Sequence, residues 1–227
     1  MFSNEMILLQ KNSDNSLCGK LLTKVMVDSL SIASYNACMG RIVAAPTAGS
    51  CGIVPAAVLN VRDELGLGID ETVKALFVAD IIGYIIARNA TVSGAEGGCQ
   101  AECGAAAAMA AGAIAVLKGA EPGVILHAAA LALKNCLGLT CDSVATLVEV
   151  PCIKRNAFFA VHAIVAADLA LAGIKSVIPF DEVVFAMKDT ASRMPPQLKE
   201  TSEGGLAITK TAKRIQRDLF EKENAHR

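Results

Sequence analysis

Ser93-Gly-Ala-Glu-Gly-Gly-Cys-Gln-Ala-Glu-Cys-Gly104 runs directly into the alanine-rich segment 105–117. Gly94, Gly97 and Gly98 permit a tight turn and close approach of backbone to a ligand. The spacing predicts a helix from about Cys99. That thiol then sits where free N–H groups and the helix dipole favour an anion, including a thiolate. Cys103 falls about one turn later on the same face. Lys118-Gly119 closes the helix with a cationic last turn and a C-cap glycine. Two further thiols stand at comparable boundaries, in Gly138-Leu-Thr-Cys141-Asp and Val150-Pro-Cys152-Ile.

Working outward, residues 17–39 carry apolar Leu21, Leu22, Val25, Ile32 and Ala33 at helical spacing. Residues 1–16 are expected to form a polar, loop-like N-terminal segment ahead of a helical domain over 17–227. Ala44-Ala-Pro-Thr-Ala-Gly-Ser-Cys-Gly-Ile-Val-Pro55 is a Gly/Pro/Ser turn feeding a helix, with Pro55 in its first turn. Gly66 and Gly68 end that helix, and Asp70 is the expected N-cap of the next, over 71–88. Pro122 opens a helix to Lys134. A short helix is expected over 142–149, cut off by Pro151. A long apolar helix follows over 152–171, then one over 181–193, then a charged helix after Gly204-Gly. Only Val177-Ile-Pro-Phe180 hints at a strand. The fold class expected is all-α, without an internal repeat.

The chain of 227 residues is long enough for a substantial core, in one large domain or two small ones. It is 53% hydrophobic but only 4% aromatic, so Ala and Gly supply the excess and suit closely packed helices. A formal net charge of -1 gives no electrostatic footprint for nucleic acid or an anionic membrane. The apolar runs are broken by Asp80, by His162 and Asp168, and 105–117 is too short to span a bilayer. Met1-Phe-Ser-Asn-Glu does not read as a basic leader before an apolar run, so a cytoplasmic location is expected. In a reducing compartment the eight cysteines are expected to be thiols or metal ligands rather than disulfides.

Cys18, Cys38 and Cys136 lie within helix patterns and read as packing residues. Cys99, Cys141 and Cys152 stand at helix starts or beside Gly and Pro breaks. Their spacing matches neither a zinc ribbon nor a tight ferredoxin run, which leaves metal binding and packing both open. Glu96, a carboxylate among glycines, is a candidate to orient a ligand or take a proton. Thr47, Ser50 and the amides around Gly49 form a candidate anion-binding turn, as do Ser93, Gly94 and Gly97. Arg155 and Asn156 are candidates for holding a carboxylate. His162 reads as a satisfied core histidine, His127 similarly, and His226 lies in the tail.

Ala45-Pro-Thr-Ala-Gly-Ser-Cys-Gly52, Ser93-Gly-Ala-Glu-Gly-Gly-Cys-Gln-Ala-Glu102, Gly138-Leu-Thr-Cys-Asp142 and Val150-Pro-Cys-Ile-Lys-Arg-Asn156 together resemble the iron–sulfur L-serine dehydratases. The match is to their α subunit or catalytic domain, and continues through Met194-Pro-Pro-Gln-Leu-Lys-Glu-Thr201. The resemblance implies a helical fold and a [4Fe–4S] cluster held by Cys99, Cys141 and Cys152. It implies an open iron acting as a Lewis acid on the hydroxyl of L-serine, with pyruvate and ammonia as products. It assigns the Thr47–Ser50 loop and the Ser93–Gly97 turn to substrate, leaves Glu96 as a candidate base, and implies an oligomer with a separate regulatory β subunit. Cys103 has no ligand role in the pattern, and the family's longer N-terminal region implies a shortened start here.

Competing readings remain at this level. A cluster-dependent lyase on a related amino acid, such as a cysteine desulfidase, would separate by substrate. A pyridoxal-phosphate dehydratase needs a Schiff-base lysine near a glycine cup, and no lysine stands suitably. A non-catalytic helical or membrane-associated protein would carry no iron.

Overall fold

The computed structural model of the chain describes residues 4–225, with side chains to residue 221. In chain order its helices are α1 (Glu5–Lys11), α2 (Gly19–Ala37), α3 (Ile53–Glu64), α4 (Ile69–Asn89), α5 (Gly94–Gly97), α6 (Ala105–Leu117), α7 (Pro122–Lys134), α8 (Cys152–Leu171), α9 (Phe180–Arg193) and α10 (Lys210–Ala225). The fold is all-α: among the described residues the only β pairing is an isolated parallel bridge between Cys141 and Lys199.

Helix α6 is the axis. Its alanines have no side chain beyond Cβ, so neighbouring backbones come close, and every one is fully shielded from solvent. Helices α3, α4, α7 and α8 pack around it. The α4 crossing is tightest: a Cβ on Gly83 would lie 2.9 Å from Met109 Sδ, and one on Gly112 would collide with Ile82. Helix α2 lies against α3 and α8, and α9 against α7 and α4. With the turn before it, Gln100–Leu117 is an 18-residue apolar segment of mean hydropathy 1.4, longer than the sequence reading allowed. It is 89% buried among the chain's own helices, as a core helix is.

Proline and glycine placed several boundaries well. Pro122 is the first residue of α7, and α8 starts directly after Pro151. Elsewhere tertiary contacts prevailed. The polar segment 1–16 holds α1 and a 3₁₀ turn, Ser13–Asn15. Met6 and Leu9 supply the reason, since both pack on a small cluster with Leu30 and Ile153. At α4 the N-cap is Gly68, not Asp70, and its N–H donates to Glu71 Oε2 at 3.1 Å.

The short helix expected over 142–149 is instead a 3₁₀ turn, Val144–Thr146, with Ala145 and Thr146 at φ 56° and 60°. Val144 and Ala145 are buried with Ala212 of α10, and the Asp142 carboxylate is engaged by Arg155 and the Leu206 N–H rather than by a helix N-terminus. Val177-Ile-Pro179 is an irregular bend leading into α9 at Phe180, with Val177 at φ 66° and 84% exposed. Cys18 and Cys38 flank α2 at its two ends and are exposed, so neither is core filler. Cys136 is buried and donates to Ala132 O at 3.2 Å. His162 Nε2–H donates to the same carbonyl (2.9 Å), and the ring meets Phe159 edge-on. His226 lies outside the described residues.

Candidate metal centre

Before α6 begins, the chain makes a π-helical turn, Gln100–Gly104, with Cys99 as its N-cap residue. Such turns widen the helix by one residue and recur at functional sites. This one stays in register through Gln100, which is fully buried yet satisfied. Its Oε1 accepts the Gly138 N–H at 2.9 Å and its Nε2 faces Met187 O at 3.4 Å. The turn thus aims Cys99, Glu102 and Cys103 at one interior point.

Three other segments meet there. Residues 138–142 deliver Cys141, α8 delivers Cys152, Arg155 and Asn156, and the strap 196–206 closes the side. Cys141 N–H donates to Leu198 O (2.9 Å), and Glu200 N–H donates to Cys141 O (2.8 Å). Ligand atoms of Cys99, Glu102 and Cys141 all lie within 4.8 Å of one another. Cys152 is buried beside them, near enough for the Cys99 charge to raise its pKa.

The electrostatics are lopsided. The Cys103 and Cys141 thiols donate to Cys99 Sγ, and Arg155 Nη1 approaches it at 3.2 Å, which together pull Cys99 down to about 3 despite burial. That thiolate pushes its neighbours the other way. Cys141 and Cys103 rise well above their ordinary value, each first because its proton is held by Cys99. Burial and then the Cys99 charge raise Cys152 to about 12. Arg155 also binds Thr140 O at 2.8 Å and pairs with Asp142 at 2.9 Å, both partners being largely buried.

Glu102 is the carboxylate at the centre. Its Oε1 accepts from Thr47 Oγ1 at 3.0 Å, and its Oε2 lies 3.9 Å from Cys141 Sγ. Burial, then the Cys99 charge, then Glu200 raise it to about 7. Glu200 is itself raised, by burial and by Cys99. A Cβ on Gly94 would meet Glu102 Oε2 at 2.7 Å and Glu200 Oε2 at 3.1 Å, so both carboxylates face the space that glycine leaves. Gly49 abuts the same carboxylate, where a Cβ would sit 3.4 Å from Glu102 Oε1.

The remaining residues singled out from sequence divide between this point and its supports. Thr47 reaches Glu102, while Ser50 is fully buried, its hydroxyl 3.1 Å from Thr47 Oγ1. Asn156 is spent on backbone: Oδ1 accepts Gly52 N–H (2.9 Å) and Nδ2 donates to Gly49 O (2.8 Å) and Cys152 O (2.9 Å). It ties the 47–52 loop to the start of α8. Ser93 is the N-cap residue of α5, its carbonyl accepting from the Glu96 and Gly97 N–H groups. Glu96 is exposed and bonded to Thr91 Oγ1 at 2.5 Å, outside the cluster of thiols.

Glu102, Glu200 and Asp142 were not singled out from sequence. A signal existed for Glu102, a charge between two thiols in an otherwise uncharged run; Glu200 and Asp142 reach the site only through the fold.

The chain thus falls in the class of all-helical proteins with a thiol and carboxylate cluster able to hold a metal ion, here Cys99, Glu102 and Cys141 with Arg155 beside them. Within that class, residues 2–207 match the serine dehydratase alpha chain family, and this chain belongs to it. It is 47% identical to a probable L-serine dehydratase alpha chain of Bacillus subtilis, over 92% of this chain and 69% of that one. It is also 47% identical to the L-serine dehydratase alpha chain of Peptoniphilus asaccharolyticus, over 92% and 72%. The L-serine dehydratase of Streptomyces coelicolor is 44% identical over 79% of this chain, which spans 40% of that longer protein.

Proposed function

We propose that the chain is the catalytic alpha chain of an L-serine dehydratase, converting L-serine to pyruvate and ammonia. The observation that carries this is the meeting of Cys99, Cys141 and the half-buried Glu102 carboxylate, with buried Cys152 within range of the Cys99 charge, in a member of this family. The donor set fits a [4Fe–4S] cluster. Its neighbours and Arg155 favour ionisation of Cys99, and Cys141 and Cys152 are buried thiols that a metal would deprotonate. When bound, such a cluster supplies a Lewis acid that assists departure of the substrate hydroxyl.

The chain's own residues do the rest. Glu102, rather than Glu96, is the group placed to accept the Cα proton, because its pKa lies near neutrality and one oxygen is oriented by Thr47. Glu200 opposite keeps negative charge in the same space and so favours that protonation. Gly49 and Gly94, lacking a Cβ, let the backbone of the 47–52 loop and of α5 come close to the Glu102 carboxylate. Asn156 holds the Thr47 loop against α8, fixing the distance between Thr47 and Glu102. Loss of water across Cα–Cβ gives aminoacrylate, whose imine tautomer is hydrolysed to pyruvate and ammonia.

The alpha chain designation of the relatives supports a separate beta chain as partner, and we include assembly with it in the proposal. A cytoplasmic, reducing setting belongs to the same reading, because thiol ligands to a cluster must stay reduced.

The test is anaerobic purification with the beta chain, followed by iron and sulfide analysis and turnover of L-serine, L-threonine and L-cysteine. About four irons per alpha chain with L-serine preferred is the expected result. Preference for L-cysteine with sulfide release would convert the reading to a desulfidase, and an active iron-free protein would overturn it.

A further inference from the structure

Cys152 is needed for a three-thiolate cluster, yet it is not in the tightest group of ligand atoms. That group is Cys99 Sγ, Cys141 Sγ and a Glu102 carboxylate oxygen, mutually within 4.8 Å, with Cys141 Sγ to Glu102 Oε2 at 3.9 Å. A tetrahedral divalent ion with metal–sulfur and metal–oxygen bonds of about 2.3 and 2.0–2.2 Å sets its ligand atoms roughly 3.5–3.8 Å apart. Closing the group onto one ion therefore takes side-chain shifts of about an ångström or less.

We propose that the cluster-free chain binds one tetrahedral divalent cation of the zinc class through Cys99, Glu102 and Cys141, and that this ion and the cluster exclude each other. Two thiolates and a carboxylate leave a net negative charge on the bound ion, and Arg155, donating to Cys99 Sγ and already paired with Asp142, is in place to offset it. The three ligands leave a fourth position for water, the pattern of open zinc sites. Zinc binds such a donor set more tightly than ferrous iron does, so the competition runs against cluster assembly whenever zinc is free. Binding displaces the thiol proton of Cys141, and no electron moves. The mutual exclusion rests on the cluster reading above, because it follows from the shared Cys99 and Cys141; the single-ion site rests on the geometry alone.

The experiment titrates the full, metal-free, reduced chain with Co²⁺ under nitrogen and reads the thiolate-to-cobalt and tetrahedral ligand-field absorptions. One Co²⁺ per chain is expected, displaced by Zn²⁺. Glu102→Gln should weaken binding by roughly tenfold or more, Glu102→Asp by less, and Cys152→Ala should leave affinity within about twofold. Circular dichroism of each variant establishes that it is folded. Loss of cobalt binding in Cys152→Ala with no effect of Glu102→Gln would overturn the site, as would the absence of a tetrahedral spectrum in the wild type. Preloading with Zn²⁺ should block rebuilding of the iron–sulfur chromophore until a chelator is added; unhindered rebuilding on zinc-loaded protein would overturn the exclusion. Cobalt bound as described in a chain that builds no chromophore at all would count against the dehydratase reading and not against this site.

Discussion

The two ends of the segment 99–117 are built from opposite chemistries. From Ala105 onward the helix is a rod of fully buried alanines against four neighbouring helices, with no polar side chain to satisfy. Before Ala105, five residues of π-turn carry Gln100, Glu102 and Cys103, with Cys99 just ahead, and each polar group is answered from a distant part of the chain. The first region is held by close packing, which tolerates little added volume. The second is held by hydrogen bonds and charge in a shielded place, where removing one partner exposes the others to the full cost of burial.

Substitutions at the two ends should therefore fail differently. The largest effect is expected of Cys99→Ala, which removes the thiolate every neighbour is arranged around. Iron retention after anaerobic reconstitution should be lost, while Cys18→Ala at the exposed start of α2 should retain it. Equal iron content in both variants would dissolve the distinction between the site and ordinary thiols.

Next is Arg155→Met, which leaves a buried Asp142 carboxylate and the Cys99 thiolate without their cation. A loss of about 3–5 kcal/mol is expected by denaturant unfolding of the metal-free chain. At the packed end, Gly112→Val forces an isopropyl group into Ile82 across the α4–α6 crossing. It should cost about 1–3 kcal/mol in the same assay and leave the order of substrate preference intact.

The smallest effect is one of pH. Folding raises Glu102 from 4.5 to about 7, so the native chain binds that proton more tightly than the unfolded chain does. Stability from this group is therefore present at low pH, declines as pH rises through that interval and stays reduced above it. Glu102→Gln should be more stable than wild type at pH 8, by about 2 kcal/mol in the metal-free chain, with the difference vanishing below pH 4.5. A difference unchanged between pH 4 and pH 8 would show that Glu102 does not titrate as its surroundings require.

Periodicity and punctuation were enough to read most helices from the chain. Pro122 and Pro151 marked α7 and α8 because a proline that lacks an N–H fits a helix start and nowhere later in it. The same rules failed over 142–149, where Val144 and Ala145 are drawn under α10 and Asp142 is taken by Arg155, contacts more than a helix of eight residues supplies by itself. They failed over 1–16 because the apolar Met6 and Leu9 find a partner surface only once α2 and α8 have met.

The choice between Glu96 and Glu102 shows the division most sharply. Both are carboxylates in one short stretch, and Glu96, flanked by small residues in a turn, looked the freer to bind a ligand. Turn geometry set Glu96 outward onto Thr91, and the π-turn, which no local pattern announces, brought Glu102 in. Side-chain size, spacing and backbone chemistry were enough to define an all-helical chain, its small-residue core and the helix starts at Cys99 and Cys152, but they put Cys18 and Cys38 inside helices when both stand at the ends of α2. It took the folded chain to place Cys99 against Arg155, to spend Asn156 on the backbone as a support, and to turn Glu102 toward Cys141. Those outcomes depend on distances between residues tens of positions apart, and a charge or proton is placed by its neighbours in space.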